Sequence, residues 1–491
     1  MPETKDLLAQ LASVLAKTEQ SELPRYKQLY EALRQQILTG LVLPGTRLPS
    51  SRVLAQQLGI ARNTAMAAIE QLCAEGYAKA RPGSGIYILA TAPMTWDIGN
   101  QPPTIPAQLK LSSRGKRMIV NLQAFPMRGA FASGIPDLKE FPFDIWQRYV
   151  ARHVRNPQLD WQSYAYRGGH EELRQTIADY IRIARGIRCD AAQVLITHGT
   201  QHGLQLAADL LADPGERVWM EDPGYMGARC AFDAAGLMVI NQAVDAEGLA
   251  PPAAWQQPPR LIYTTPSHQY PTGVVMTAAR RRHLLALAAQ HQAWVLEDDY
   301  DSEFRYEGTP LAALHALAPN QVIYLGTFSK TFFPALAIGY MVLPEQLMDA
   351  FRAAQVRHQR EPSYVIQKAL ADFIRDGHAG AHIRKMRREY HARRDTLVEL
   401  LQTELGEQIH LDGLDTGLHL LAYLPARISD RIIAAEAYQR GIMTRALSDL
   451  CIDVTTARAP ALLLGFGDAN QQDIVRAGKI LCQVIHEALD Q

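Results

Sequence analysis

From Phe131 to the C-terminus, short apolar runs of strand length alternate with longer stretches of helical period, and this alternation limits the fold more than any other feature. Gln193-Val194-Leu195-Ile196-Thr197 precedes a helical pattern carrying Leu204, Leu206, Leu210 and Leu211. Arg217-Val218-Trp219-Met220, Leu237-Met238-Val239-Ile240, Leu261-Ile262-Tyr263-Thr264, Trp294-Val295-Leu296 and Val322-Ile323-Tyr324-Leu325 follow. Strands buried on both faces read as such runs, so the pattern predicts an α/β domain with a mainly parallel sheet covered by helices. In sheets of this kind ligands sit beyond the carboxyl ends of the strands.

Three chemically distinctive stretches fall at those ends. His198-Gly199-Thr200-Gln201 forms a strand-to-helix turn, Glu297-Asp298-Asp299-Tyr300 follows a second strand, and Thr327-Phe328-Ser329-Lys330 a third. A glycine turn for a phosphate, an acid for a pyridine nitrogen and a lysine amine for a Schiff base are the parts a pyridoxal phosphate site needs. Asp299 and Asp301 read as surface or capping acids.

The chain has 491 residues, which predicts two or three folded units rather than one core. Overall charge is zero, yet residues 21–90 hold eight basic side chains (Arg25, Lys27, Arg34, Arg47, Arg52, Arg62, Lys79, Arg81) against four acids (Glu22, Glu31, Glu70, Glu75). That local excess suits an anionic partner. The five cysteines show no paired spacing, so neither a disulfide framework nor a zinc site is expected. No apolar run approaches membrane-spanning length and the N-terminus lacks a leader pattern; a cytoplasmic protein is expected.

Within the basic stretch, Tyr26, Leu29, Tyr30, Leu33 and Ile37 predict one helix. Ser50 or Ser51 caps a second, carrying Val53, Leu54 and Leu58 and stopped by Gly59. A third starts near Arg62-Asn63-Thr64 and buries Met66, Ile69 and Leu72. A hairpin around Pro82-Gly83-Ser84-Gly85 completes a winged helix-turn-helix over residues 18–90. Arg62, Asn63 and Thr64 then stand where a recognition helix meets bases, Arg52 where a phosphate is held, and Gly85 on a wing able to approach a groove. Residues 91–123 contain Pro93, Pro102, Pro103 and Pro106 without apolar periodicity and read as a semi-flexible tether to the effector domain over residues 124–491.

Pro44-Gly45-Thr46-Arg47-Leu48-Pro49-Ser50-Ser51-Arg52, Leu58-Gly59, Arg62-Asn63-Thr64, Glu75-Gly76-Tyr77 and Gly83-Ser84-Gly85 resemble the GntR-type winged helix. The order of elements from Phe131 onward resembles the fold-type I aminotransferases, which have a smaller C-terminal subdomain. Together the two halves are similar to the MocR/GabR-type transcription regulators.

That resemblance implies pyridoxal phosphate bound by Gly199, Thr200, Gln201 and Thr327 at its phosphate, by Tyr225 stacked on its ring, by Asp298 at its nitrogen and by Tyr300 at its phenolic oxygen. Lys330 would be the Schiff-base residue. Tyr164 resembles the tyrosine that reaches the phosphate from a partner subunit, which implies a homodimer. The expected partners are double-stranded DNA and an amine or amino acid effector, sensed through an aldimine on Lys330.

Two departures stand out. Related sequences carry a phosphate-clamping arginine seven residues after the lysine; here the residue is Ala337. Losing one charge-assisted hydrogen bond costs about 1.5–3 kcal/mol. Second, Tyr270 replaces the usual asparagine before Pro-Thr-Gly, which leaves open which of His268, Gln269 and Tyr270 faces the ring. Arg229, Arg445 and Arg458 are the candidates for an effector carboxylate. Arg384, Lys385, Arg387, Arg388, Arg393 and Arg394 on one helix form either a solvated face or a phosphate contact. Two other functions stay open: a working aminotransferase that binds DNA, and a regulator whose cleft has degenerated.

Overall fold

The computed structural model describes residues 8, 11–13, 15, 23–89, 111–120, 128–156, 167–252, 257–308, 312–452 and 459–490. The chain divides into two compact units, residues 1–110 and 111–491.

In the first unit, Leu29, Leu33 and Ile37 recur every four residues and line the inner face of α1 (Arg25–Leu38). The chain turns through β1 (Arg47–Leu48) into α2 (Ser51–Leu58), where Ser50 Oγ accepts a hydrogen bond from Val53 N at 3.3 Å and Gly59 ends the helix in the left-handed region. Helix α3 (Arg62–Ala74) lies against α1 and α2. Its inner face is Ala65, Ala68, Ile69 and Leu72, whereas Met66, expected inside, is 40% exposed. The alanines let the neighbouring helices approach closely, which turns the longer Met66 outward. Each fully buried leucine or isoleucine here contributes roughly 1.5–3 kcal/mol. Strands β2 (Ala78–Arg81) and β3 (Gly85–Ile88) form the hairpin, and β1 pairs with β3 as a third strand.

The second unit begins with α4 (Ser113–Val120), inside the stretch expected to be irregular. Ser112 Oγ accepts from Gly115 N at 3.0 Å, a serine cap that the search for apolar periodicity passes over. The helix packs beside residues 226–235 of the same unit. The proline-rich residues 90–110 lie outside the described residues.

Helices α5 (Phe143–Arg155) and α6 (Glu171–Arg185) lead into the sheet. It is built from β4 (Val194–Thr197), β5 (Arg217–Asp222), β6 (Met238–Asp245), β7 (Gly248–Leu249), β8 (Leu261–Thr264), β9 (Trp294–Asp299), β10 (Val322–Thr327) and β11 (Gly339–Val342), in the order β4-β11-β10-β9-β8-β5-β6-β7. Pairs from β10 through β6 are parallel, while β11 runs antiparallel to both β10 and β4. Two antiparallel steps restore direction, so β4 points the same way as β10. The carboxyl ends of β4, β10, β9, β8 and β5 therefore share one edge of the sheet.

Helices α7 (Gly199–Leu211), α8 (Met226–Ala235), α9 (Ala278–Gln290), α10 (Met348–His358) and α11 (Tyr364–Arg375) accompany the sheet. The long α12 (His378–Leu405) then passes to a smaller antiparallel sheet of β12 (His410–Asp412), β13 (His419–Tyr423), β14 (Arg445–Ala446) and β15 (Ala461–Gly465). With α13 (Asp430–Gln439) and α14 (Gln471–Leu489), α12 closes a second core around Leu397, Leu401, Leu420, Leu464 and Leu481. Among the described residues no helix is long and apolar enough to cross a membrane.

Candidate functional site

The loop after β10 carries Lys330. Phe328 and Phe332 stack in parallel at 5.5 Å between centroids, and both belong to the core that includes Phe141 and Phe373. They anchor the loop, and Lys330 Nζ donates to the carbonyl of Gly134 at 2.7 Å. Burial pushes the amine pKa down, opposed by the charges of Asp301 and Asp298.

Asp298 lies near the end of β9, beside Leu325 of β10. Tyr263 donates to Asp298 Oδ2 at 2.8 Å, while buried Oδ1 has no hydrogen-bond partner among the described residues. Burial raises this carboxyl to about 7; the Tyr263 hydrogen bond lowers it, and the nearby Asp299 and Glu221 raise it further. A buried carboxylate oxygen lacking a donor at a strand end fits a protonated ring nitrogen.

Asp299 and Asp301, read as surface or capping acids, are both buried; Asp301 stands at the N-cap of a 3-10 turn (Ser302–Phe304), with no side-chain capping bond. Asp299 faces the other way from Asp298 and is held by Arg185 Nε at 2.6 Å and Tyr324 Oη at 2.6 Å. Asp301 holds His268 Nδ1, with both carboxylate oxygens at 3.0 Å. Tyr300 Oη also lies 3.0 Å from Nδ1. If that nitrogen donates its hydrogen to Asp301, the Tyr300 hydroxyl keeps its own hydrogen for a ligand.

Buried Glu221 organises the loop that follows β8. It accepts from Thr264 Oγ1 (2.5 Å), Thr265 Oγ1 (2.7 Å) and Gln269 Nε2 (3.1 Å). Gln269 also donates to the carbonyls of Pro223 and Tyr270, so its amide is committed to the scaffold. The question of which residue faces the ligand narrows to His268, packed with Tyr300, and Tyr270. The Tyr270 ring stands edge-on to Tyr225 at 6.1 Å and to Tyr300 at 6.0 Å. Tyr225 precedes α8, and burial pushes its phenol pKa up. A side chain at Gly227 would fall 2.3 Å from the Tyr225 ring, so the glycine makes room for it.

At the neighbouring strand end, Gly199 (φ +77°) opens α7. A side chain on Gly339 of β11 would approach Gly199 Cα to 2.8 Å; two glycines thus bring the lysine loop against the helix terminus. Thr200 and Gln201 occupy the first turn, Gln201 Nε2 donating to the Gly227 carbonyl at 2.9 Å. Thr327 Oγ1 accepts from Ser329 N at 3.2 Å. Ala337 is exposed and adopts the left-handed conformation (φ 49°, ψ 37°). The topology thus gathers Gly199, Thr200, Gln201, Tyr225, Asp298, Tyr300, Thr327 and Lys330 on one edge of the sheet. Tyr164 and Arg458 lie outside the described residues.

Several of the remaining basic side chains have partners within the unit. Arg229 donates to Asn241 Oδ1 on β6, and Arg445 is placed in β14 opposite Leu463. On α12, Arg393 binds Asp137, Arg394 binds Asp395, and Lys385 binds Glu140. That helix is therefore not one uniform basic face. Tyr263 and Gly134 were missed from sequence, as was the pairing of His268, one of three ring-facing candidates, with Asp301; only the polar hydroxyl at the end of the apolar Leu261-Ile262-Tyr263 run hinted at Tyr263.

In the first unit, Arg52 lies in the first turn of α2, and Arg62, Asn63 and Thr64 in that of α3. Arg52, Arg62 and Asn63 are exposed, Thr64 half-buried. Neither arginine forms an ion pair among the described residues. Gly85 (φ +115°) starts β3 so close to Arg47 that a side chain would fall 2.7 Å from Arg47 Nε. Arg81 covers the Tyr87 ring at 4.6 Å on the wing.

The two units match two family models: bacterial regulatory proteins of the gntR family over residues 25–88, and aminotransferase class I and II over residues 135–440. The fold is that of a GntR winged helix joined to a fold-type I aminotransferase domain. The probable rhizopine catabolism regulatory protein MocR of Rhizobium meliloti is 39% identical over 431 residues, covering 87% of each chain. The pyridoxine biosynthesis transcriptional regulator PdxR of Corynebacterium glutamicum is 31% identical, covering 96% of this chain and 97% of PdxR. The kynurenine aminotransferase of Pyrococcus horikoshii, solved in complex with PMP, superposes with a TM-score of 0.66 at 26% identity, covering 78% of this chain and 96% of the enzyme. The chain belongs to the MocR-type family of GntR transcription regulators.

Proposed function

We propose that this protein is a cytoplasmic, homodimeric transcription regulator that binds double-stranded DNA through residues 18–90 and holds pyridoxal phosphate at Lys330 to sense an amine or amino acid. The observation that carries the reading is the donor-less Oδ1 of Asp298 on the same sheet edge as Lys330. The PMP complex of the kynurenine aminotransferase supports the cofactor class. The MocR and PdxR relatives support the regulatory output.

When bound, the cofactor supplies an electrophilic carbon for an amine and, with its ring nitrogen protonated, an electron sink. Asp298 Oδ1 would keep that nitrogen protonated, a role suited to a carboxyl that Tyr263 already orients. Tyr300 would donate to the phenolic oxygen, and Tyr225 and Tyr270 would bound the ring. The amides of Gly199, Thr200 and Gln201 at the start of α7, with Thr327, would receive the phosphate. Lys330 would give up its hydrogen bond to Gly134 to attach the cofactor, and its lowered pKa favours the neutral, nucleophilic amine. Arg52, Arg62, Asn63, Thr64 and the wing at Gly85 would meet DNA. Regulation requires the effector and DNA to change each other's affinity reciprocally.

The test is spectroscopic. Purified protein should show a near-visible band that borohydride removes and that Lys330→Ala lacks; no such band in wild type would sink the cofactor reading. A working aminotransferase is a second reading, because Lys330, Asp298 and Tyr300 are all retained. Sustained turnover with amino donors and keto acids would establish that activity. Arg229, Arg445 and Arg458 are proposed for the effector carboxylate, to be ranked by effector titration of their glutamine variants.

A further inference from the structure

A cavity of about 410 Å³ opens in the second unit between the end of α6, the segment leaving β9 and the first half of α12. None of Gly199, Tyr225, Asp298 and Lys330 lines it. Four arginines do: Arg185 is buried, Arg305 half-buried, and Arg384 and Arg387 exposed. The charge of Arg185 is matched by Asp299 at 2.6 Å. No carboxylate pairs with Arg305, Arg384 or Arg387 among the described residues. Arg387 donates from Nε and Nη2 to the Glu303 carbonyl at 3.0 and 2.7 Å, a neutral acceptor that leaves its charge uncompensated. Arg305 Nε is buried without a hydrogen-bond partner.

The acid lining the cavity is Glu303, which accepts from Tyr180 Oη at 3.0 Å. Burial raises its carboxyl to about 7, so at neutral pH it offers less than a full negative charge to three uncompensated guanidiniums. A buried guanidinium nitrogen lacking an acceptor is costly, and planar guanidiniums match carboxylate and phosphate oxygens in pairs. The volume is that of a small-molecule site.

We propose that this cavity binds a small organic anion carrying a carboxylate or phosphate group, held by Arg305, Arg384 and Arg387, at a site separate from the cofactor cleft. Its wall on α12 lies where that helix passes from the core containing Ala379 to the one containing Met386 and Tyr390. An occupant would therefore brace the joint between the large and small parts of the second unit. Through Arg185 it would also touch the partner of Asp299, the residue next to Asp298.

The test titrates full-length protein with inorganic phosphate and, separately, with succinate at constant ionic strength, following heat of binding and thermal stability. At least one probe should bind saturably. Binding should weaken about tenfold or more in Arg305→Gln/Arg384→Gln. Arg384→Gln alone, at the exposed mouth, should give part of that loss without threatening the fold. The arginine-dependent component should persist in Lys330→Ala, which distinguishes this site from the cofactor cleft. Phosphate alone binding assigns a phosphate ester; succinate alone assigns a carboxylate. Saturable binding of neither probe, or binding unchanged in the arginine variants, overturns the proposal and leaves the cofactor reading intact.

Discussion

Tyr263 of β8 donates its hydroxyl hydrogen to Oδ2 of Asp298 on β9 at 2.8 Å, and the parallel register places both side chains on one face of the sheet. Tyr263→Phe therefore removes a hydrogen bond from a buried carboxyl. Cofactor affinity should fall about tenfold, the worth of one hydrogen bond to a charged group. Asp298→Asn should fall further, because it removes the charge facing the ring nitrogen. Absorbance-monitored cofactor dissociation reads both, and equal retention in both variants and wild type would contradict the assigned role of Asp298.

The raised pKa of Asp298 also predicts a pH dependence of the cofactor-free protein. The folded state binds this proton more tightly than the unfolded state, whose aspartate titrates near 3.8. Stability contributed by the protonated carboxyl is present below about pH 4 and is lost as pH rises towards about 7. The loss attributable to this group is on the order of 4 kcal/mol at most, taking 1.36 kcal/mol per unit. Denaturant unfolding of wild type and Asp298→Asn between pH 4 and 8 should show a shallower decline in the variant. Parallel curves would count against a buried, protonated Asp298.

Ala337 holds a left-handed conformation two residues before Gly339, which lies against Gly199. Ala337→Gly should stabilise the protein by up to about 1 kcal/mol by removing the side-chain clash of that conformation. Ala337→Arg restores a cation near the start of α7 and should tighten cofactor retention by roughly one to two orders of magnitude. Dialysis retention followed by absorbance measures the second effect, and unchanged retention would show that Ala337 does not border the phosphate seat.

For DNA, Arg62→Ala should weaken operator binding and relax sequence preference, because it lies at the start of α3, the proposed recognition helix. Arg52→Ala should weaken binding uniformly and reduce the salt slope by about one unit. Fluorescence anisotropy across a salt series separates the two behaviours. Wild-type binding in both variants would mean that another surface reads DNA.

The strands and their carboxyl ends were legible because buried parallel strands are written as unbroken apolar runs, and Gly199, Asp298 and Lys330 stand at or just beyond the ends of three of them. The acids of Glu297-Asp298-Asp299 are chemically alike in sequence, however. Only strand parity assigns Asp298 to the cleft and Asp299 to Arg185, a partner from a remote helix. His268 was legible as a candidate but its pairing with Asp301 was not, since that depends on two loops meeting. In the winged helix the error at Met66 came from ranking side chains by apolarity, when close helix packing favoured Ala65 and Ala68. The cap at Ser112 went unread because α4 lacks an obvious apolar stripe.

The lysine loop is pinned at both ends. Thr327 pairs with Gly339 across β10 and β11, and Gly339 pairs with Thr197 just before the turn at Gly199. A one-residue slip of β11 against β10 and β4 would turn its buried side chains to the wrong face. The register of β11, rather than any side chain within the loop such as that of Ala337, therefore fixes where the loop carrying Lys330 ends.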